Sequence, residues 1–421
     1  MHAPADEAAP ARTAENCARA FVALVNDPTP DRVRNFEKTW ASRSRLDATP
    51  IEERIPRIKT LVEEWGTVSI TSVSTDGGGA VLEATSSEGL ALELTMNMSK
   101  AEPDKLDTID VAISHGHADA RELTADTRTQ TVKGVAEALR TGYVFPEKGA
   151  AMADAILAKL SSGEYDSIKS EAAFARRLTE DCRAITSDKH LGVRLDPARP
   201  VSSEQEGHAG PSHDEMRREN YGFKKVELLP GNIGYLRFDV FVEDEEARRV
   251  ASNAMNFLSG ADAIIFDLRT NGGGSPDMIR YITSYLFDSK THLNDMVDRD
   301  GNTVEEYWTL DDVPGPRPKA DVPVYVLTSS RTFSGAEEFS YNLKNLKRAT
   351  LVGETTGGGA HPVRGERIND RFMVRVPFMR AQNPITKTNW EGAGVEPDIK
   401  TPAKDALDRA VELAREAVHH D

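Results

Sequence analysis

The sequence predicts a multi-domain α/β protein, and three observations carry that reading. From residue 225 onward, strand-like and helix-like segments alternate. Two segments, 263–268 and 322–327, are near-continuous apolar runs, and glycine-rich turns follow several strands. Runs of that kind suit strands buried on both faces, as in a parallel sheet covered by helices. The length agrees, since 421 residues exceed one ordinary domain.

Residues 13–115 read as a small α+β unit. Residues 14–25 are amphipathic, Asp27-Pro28-Thr29-Pro30 is a turn and helix start, and further helices fall over 31–40 and 50–64. Segments 68–73 and 80–85 alternate polar with apolar residues around Asp76-Gly77-Gly78-Gly79, a hairpin signal. Segments 90–96 and 106–113 alternate again, predicting helices on a curled antiparallel sheet. His115 and His117 read as solvated linker histidines. The polar stretch 118–131 marks a boundary.

Helical periodicity over 132–141, 148–161 and 170–185 predicts an all-helical cap, 126–195, ending at Ser187-Asp188-Lys189-His190. Residues 196–224 are polar and expected to form a loop or arm. The main domain, 225–421, then reads strand 232–238, helix 243–258, strand 263–268, helix 275–287 and strand 322–327. A helix from Ser334 to Lys344, strands 349–352 and 372–376, and a helix over 405–418 follow. In such sheets ligands bind outside the carboxyl ends of the strands, where the two informative loops lie.

Composition excludes several classes. Against 68 Asp+Glu there are 52 Lys+Arg, and the net charge of −16 repels phosphate backbones. Without a local basic stripe, nucleic acid is not an expected partner. No run approaches the roughly 18 apolar residues of a membrane-spanning helix. Cys17 and Cys182 are too few for a disulfide scaffold or a Cys-based zinc cluster. Whether they pair stays open, and no metal or cofactor is expected. Met1–Arg12 is rich in Ala and Pro without a hydrophobic segment, so it is not a signal peptide. It suits the mature start of an exported protein, periplasmic or secreted, with a cytoplasmic location left open.

Two loops can carry chemistry. Ser334 follows a buried strand and precedes a helix, so its hydroxyl can stand at the sheet's edge, with the amide of Gly335 free to meet an anion. Acyl transfer needs that pairing of nucleophile and backbone donor. Ser334-Gly335-Ala336-Glu337 equally fits a capping box. The second loop, Arg269-Thr270-Asn271-Gly272-Gly273-Gly274, offers a further oxyanion donor in Gly273, with Gly272 beside it. No G-x-x-x-x-G-K-[ST] phosphate loop is present.

In order, IGYL, DLRTNGGG, SRTFSGAEEF, GETTGGG and NWEGAGVEPDI resemble the S41 peptidase family. That family includes tail-specific proteases, the tricorn core and the interphotoreceptor retinoid-binding protein. The resemblance runs from about Thr131 to Val418; GYVFPE and SDKHLGV look like the retinoid-binding-protein branch. It implies a ClpP/crotonase-like ββα core. Residues 13–115 bear only a vague likeness to the nuclear-transport-factor-2 cone.

The departures from the family matter equally. Tail-specific proteases carry a catalytic lysine where this chain has Gly359, and the usual PDZ domain is missing. The resemblance therefore implies the tricorn-like arrangement, with Ser334 as nucleophile, His190 as base and Glu391 orienting the imidazole. The serine that precedes the tricorn histidine is Lys189 here. Asp188 and Glu337 are supporting candidates, His361 is a rival base, and Glu396 reads as a strand end. The expected function is a serine peptidase acting on polypeptide or peptide substrates. The alternative is a non-catalytic binder of an apolar ligand between cap and sheet. A homo-oligomer is left open.

Overall fold

Helix starts in the first unit follow the capping residues. The computed structural model describes residues 14–76, 79–87, 90–115, 123–195 and 213–418, divided into units 1–121 and 122–421. Thr29 accepts the Arg32 amide ahead of Pro30–Trp40, with Pro30 where a helix needs no donor. Helices Ala14–Asn26 and Ile51–Trp65 fall where expected, and Ser42 caps an unforeseen short helix, Arg43–Ala48. Strands Val68–Asp76, Gly79–Ser86, Leu90–Met98 and Leu106–His115 form an antiparallel meander in chain order. Period-two alternation sends Leu82, Leu94 and Met96 into a core with Phe21, Val25, Phe36 and Trp65. His115 closes the last strand opposite Leu90 instead of lying in a linker. His117 and the glycines at 77 and 78 lie outside the described residues.

The main sheet of the second unit runs Ile399–Lys400, Thr350–Gly353, Val324–Thr328, Ala263–Asp267, Ile233–Phe238, Phe223–Leu229. Every neighbouring pair is parallel except the last. The two predicted apolar runs are the central strands, buried at every position. One face packs Ile264 and Phe266 on Met255, Ile279 and Phe339; the other packs Ile265 and Leu327 on Ala406, Ala410 and Ala414 of the last helix. Edge strand Phe223–Leu229 and helix His213–Arg218 occupy part of the predicted arm. Residues 196–212 lie outside the described residues. Charged residues and an exposed Val226 and Leu228 hid that strand from a search for apolar runs.

The cap is not all-helical. Helices Ala125–Gly142, Pro146–Ser161 and Glu171–Thr186 pack on an antiparallel sheet of Val363–Arg367, Phe372–Pro377 and Gly192–Leu195. Phe372, Val374 and Val376 complete a core with Leu139, Ile156, Phe174 and Leu178. Three helices of this size leave an apolar face open, and a strand from far down the chain covers it. Local periodicity cannot show such a pairing. Cys17 and Cys182 are free and buried. No helix among the described residues is long and apolar enough to cross a membrane.

One buried charge marks a stability prediction. Glu338 lies inside the core beneath the sheet, and burial pushes its pKa up to about 8, with Asn294 opposing. A carboxyl raised in the folded state stabilises least when the unfolded chain is already ionised. Stability therefore falls as pH rises from the ordinary carboxyl range to about 8, by about 1.4 kcal/mol per pH unit, and then levels off. Glu338→Gln is expected to be more stable than the parent by an amount that grows from pH 5 to pH 8 in urea melts. A constant difference would refute this.

Candidate active site

Hydrogen bonds lace the two loops together before any catalytic group is considered. Asn271 is fully buried; its Nδ2 donates to the Phe238 carbonyl (2.9 Å) and its own carbonyl accepts the Phe333 amide (3.1 Å). Thr332 Oγ1 donates to the Leu268 carbonyl and accepts the Ser329 amide. Gly273, at φ 102°, fits so closely that a Cβ there would stand 2.6 Å from the Gly335 nitrogen and 2.8 Å from Ser334 Cβ. That approach explains the glycine, which has the permissive φ as well.

Ser334 takes φ 56° and ψ −120° at the start of helix Gly335–Asn345. A non-glycine residue held there costs about 1–3 kcal/mol and persists where surroundings impose it. Its amide donates to Glu337 Oε2 at 2.8 Å, so the expected carboxylate half of the capping box is present. The same carboxylate accepts the amides of Gly358 (2.6 Å) and Gly359 (2.9 Å) and the Thr356 hydroxyl. Burial raises the Glu337 pKa while these donors pull it back. Glu337 thus ties Ser334 to the glycine loop that follows Gly353.

His190 arrives from the cap. Helix Glu171–Thr186 ends at Ser187 in the left-handed conformation, and Asp188 Oδ1 accepts the His190 amide at 2.9 Å. His190 Nε2 lies 3.1 Å from Ser334 Oγ, and the ring stacks on Phe333 at 4.7 Å. Burial pushes its pKa down to about 4, opposed by Asp188 and assisted by Arg375, His361 and Arg183. The imidazole is therefore neutral near pH 7 and able to accept a proton.

The carboxylate nearest that ring is Asp188, not Glu391. His190 Nδ1 lies 3.9 Å from Asp188 Oδ1 and has no hydrogen-bond partner among the described residues. Asp188 Oδ2 meets His361 Nδ1 at 2.6 Å and the Tyr143 hydroxyl at 3.2 Å. Burial would raise the Asp188 pKa, but His361 and the His190 amide hold it below the usual carboxylate range. Glu391 Oε2 accepts the Ala360 amide at 2.6 Å and stands 3.5 Å from His361, while Oε1 is buried without a partner among the described residues. No hydrogen bond or ion pair joins Glu391 to His190 among the described residues. His361, the rival base, contacts Asp188 and an edge of Phe145. Lys189 ties the cap to the Gly357 carbonyl.

The oxyanion expectations divide. The Gly273 amide donates to Asn271 Oδ1 at 2.8 Å and the Gly272 amide to the Asp239 carbonyl at 3.1 Å. The first is taken by a tight Asn271 side-chain turn over the loop, the second by the backbone of the neighbouring segment. Gly335, the first helical residue, holds its place beside Ser334. Sequence reasoning passed over Asn271, Phe333 and Tyr143; a polar or aromatic residue beside a motif glycine is the only signal they leave.

Asp188, His361 and Glu391 bring one ligand atom each within 4.8 Å of one another. A cation there would have to break the 2.6 Å hydrogen bond between Asp188 and His361, so the donor set fits a hydrogen-bonded relay better than a metal centre.

Residues 232–401 match the model of peptidase family S41. The second unit belongs to that family. Residues 122–221 match the N-terminal domain of Peptidase_S41 in eukaryotic IRBP. Carboxyl-terminal-processing peptidase 2, chloroplastic, of Arabidopsis thaliana is 28% identical over 191 residues, 41% of this chain and 34% of that protein. A carboxyl-terminal-processing protease of a Picosynechococcus species is 31% identical over 126 residues, 30% of this chain and 29% of that protein. The chain spans about a third of the length of the curated relatives it matches. Among solved structures, a protein from Parabacteroides merdae superposes with a TM-score of 0.49 at 18% identity, covering 68% of this chain and 96% of that one. The photosystem II D1 C-terminal processing protease gives 0.44 at 16% identity, covering 68% and 97%.

Proposed function

We propose that the chain is a serine peptidase that cleaves unstructured polypeptide or peptide substrates through an acyl-enzyme. The carrying observation is the 3.1 Å approach of a neutral His190 to the hydroxyl of a strained Ser334. His190 takes the proton as Ser334 attacks the carbonyl and returns it to the leaving amine; water then hydrolyses the ester by the same route. Asp188 supports the imidazolium that forms, and His361, Tyr143 and Glu391 hold Asp188 or its partner in turn. The Gly335 amide at the helix start stabilises the oxyanion. A location outside the cytoplasm suits the chloroplastic and cyanobacterial relatives.

The apolar-ligand reading fares less well. A cavity of about 300 Å³ between cap and core is lined by Lys148, Arg380 and Lys387 beside Phe145, His361 and Glu391, a charged lining unsuited to a hydrocarbon ligand. A fluorophosphonate probe is expected to modify Ser334, located by peptide mass mapping. Absence of label in folded protein, or label on another serine, would overturn the assignment.

A further inference from the structure

We propose that Arg375, with Arg194 and Arg183, forms a subsite beside the Ser334–His190 pair that binds a carboxylate of the peptide substrate. The proposal rests on the serine-peptidase reading above and adds a substrate class to it.

The strand pairing assembles the cluster. Strand Gly192–Leu195 leaves directly from His190 and lies antiparallel to Phe372–Pro377, with Arg375 opposite Gly192 and Met373 opposite Arg194. Residues opposite one another share a face. Val193, Val374 and Phe372 turn into the cap core, so Arg194 and Arg375 belong to the other face. Gly192 contributes no side chain there, and Arg183 Nη2 lies 3.8 Å from the place a Cβ would take. Three guanidiniums therefore gather around one glycine.

Their own bonds leave the charge unanswered. Arg183 donates to the carbonyls of Leu191 (2.8 Å) and Lys189 (2.6 Å), and Arg194 Nε approaches Met373 Sδ at 3.2 Å. Arg375 is half-buried, and among the described residues its side chain makes no hydrogen bond or ion pair. Arg371, in the turn just before the same strand, is paired with Glu171. Asp188 offsets part of the charge on Arg183, but among the described residues no carboxylate pairs with Arg375, whose charged neighbours are Arg194 and Arg183. Burial and mutual repulsion hold Arg375 below the ordinary arginine range, and its charge also depresses His190. An arriving carboxylate would relieve both, through the paired donors that a guanidinium offers.

Position sets the reach. Gly192 lies two residues beyond His190, about 7 Å along an extended strand. A peptide whose reacting carbonyl sits at Ser334 would bring a carboxylate one to three residues away to the cluster. That group is either a terminal carboxylate or an acidic side chain, and the chemistry of recognition is the same.

Three alanine-based pentapeptides separate the cases: one amidated and neutral, one with a free terminus, and one amidated with an internal glutamate. Each is titrated for protection of Ser334 against fluorophosphonate in the full chain. A carboxylate peptide is expected to protect at about tenfold lower concentration than the neutral one, and the better of the two names the source. In Arg375→Gln and in the more exposed Arg194→Gln, that ratio should fall to about two, and in Arg375→Gln the pKa of His190 should rise. Equal protection by all three peptides, or an unchanged ratio in both variants, overturns the proposal. If Ser334 takes no label, the catalytic reading fails instead. The ratio is then read from fluorescence anisotropy of the same peptides carrying rhodamine, with the same two outcomes.

Discussion

His190→Ala is expected to slow acylation of Ser334 by roughly 10²–10⁴-fold, the range a positioned base supplies. If Ser334 and His190 act as a unit, as proposed, Ser334→Ala combined with His190→Ala should be no worse than Ser334→Ala alone. The geometry behind this is the 3.1 Å Nε2–Oγ approach, held from one side by Phe333 and from the other by the Asp188 turn. The pH profile provides a second readout. An ordinary exposed histidine would lose base function as pH falls through about 6.5. Burial moves that point here to about 4, so the rate of fluorophosphonate inactivation should stay level between pH 6 and 8 and fall only as pH approaches 4. An inflection near 6.5 would mean that the ring is more hydrated than the structure places it.

The same depression has a stability consequence of defined sign. A histidine whose folded pKa lies below its unfolded value leaves the folded state with fewer protons between the two. Stability is full above about 6.5 and declines as pH falls towards about 4. Activity and stability thus decline with acid over separate windows, and a labelling profile paired with urea melts distinguishes them.

The main sheet was legible because its central strands are buried on both faces and so read as unbroken apolar runs. Ser334, His190 and the glycine loops were legible because turn chemistry and motif order mark them. What escaped was non-local. The strand Gly192–Leu195 is four residues long and takes its meaning from Phe372–Pro377, so the cap looked purely helical. Glu391 was read as the partner of His190 because motif order says nothing about which of two imidazoles a carboxylate meets. The Asp188 side chain reaches both His190 and His361, and that double contact exists only once Ser187 turns the chain into its left-handed conformation. The taken amide of Gly273 depends likewise on how the Asn271 side chain folds back, a choice no spacing encodes.

Gly359→Ala is expected to lower acylation by about 10²-fold, the effect of a misplacement of about 1 Å at a reacting group. Gly359 has no unusual backbone angle to defend; the conflict is purely one of space. A Cβ there would lie 2.5 Å from His190 Cε1 and 2.4 Å from Phe333 Cζ, well inside contact distance. The backbone cannot withdraw, because Glu337 holds the Gly359 amide at 2.9 Å and the Trp390 indole donates to its carbonyl at 2.6 Å. The ring of His190 must therefore yield, taking Nε2 away from Ser334. Overpacking should also cost about 1–3 kcal/mol of stability, whereas Gly260→Ala, with nothing within 4 Å of the new methyl, should leave labelling unchanged. By the motif resemblance, position 359 is where a Ser–Lys peptidase carries its lysine. A lysine here would enter the volume that His190 and Phe333 fill, so on the proposed mechanism the glycine makes room for the histidine base. Gly359→Lys should consequently lose activity without acquiring a working dyad, and a labelling rate equal to the parent's would show that His190 is not the base.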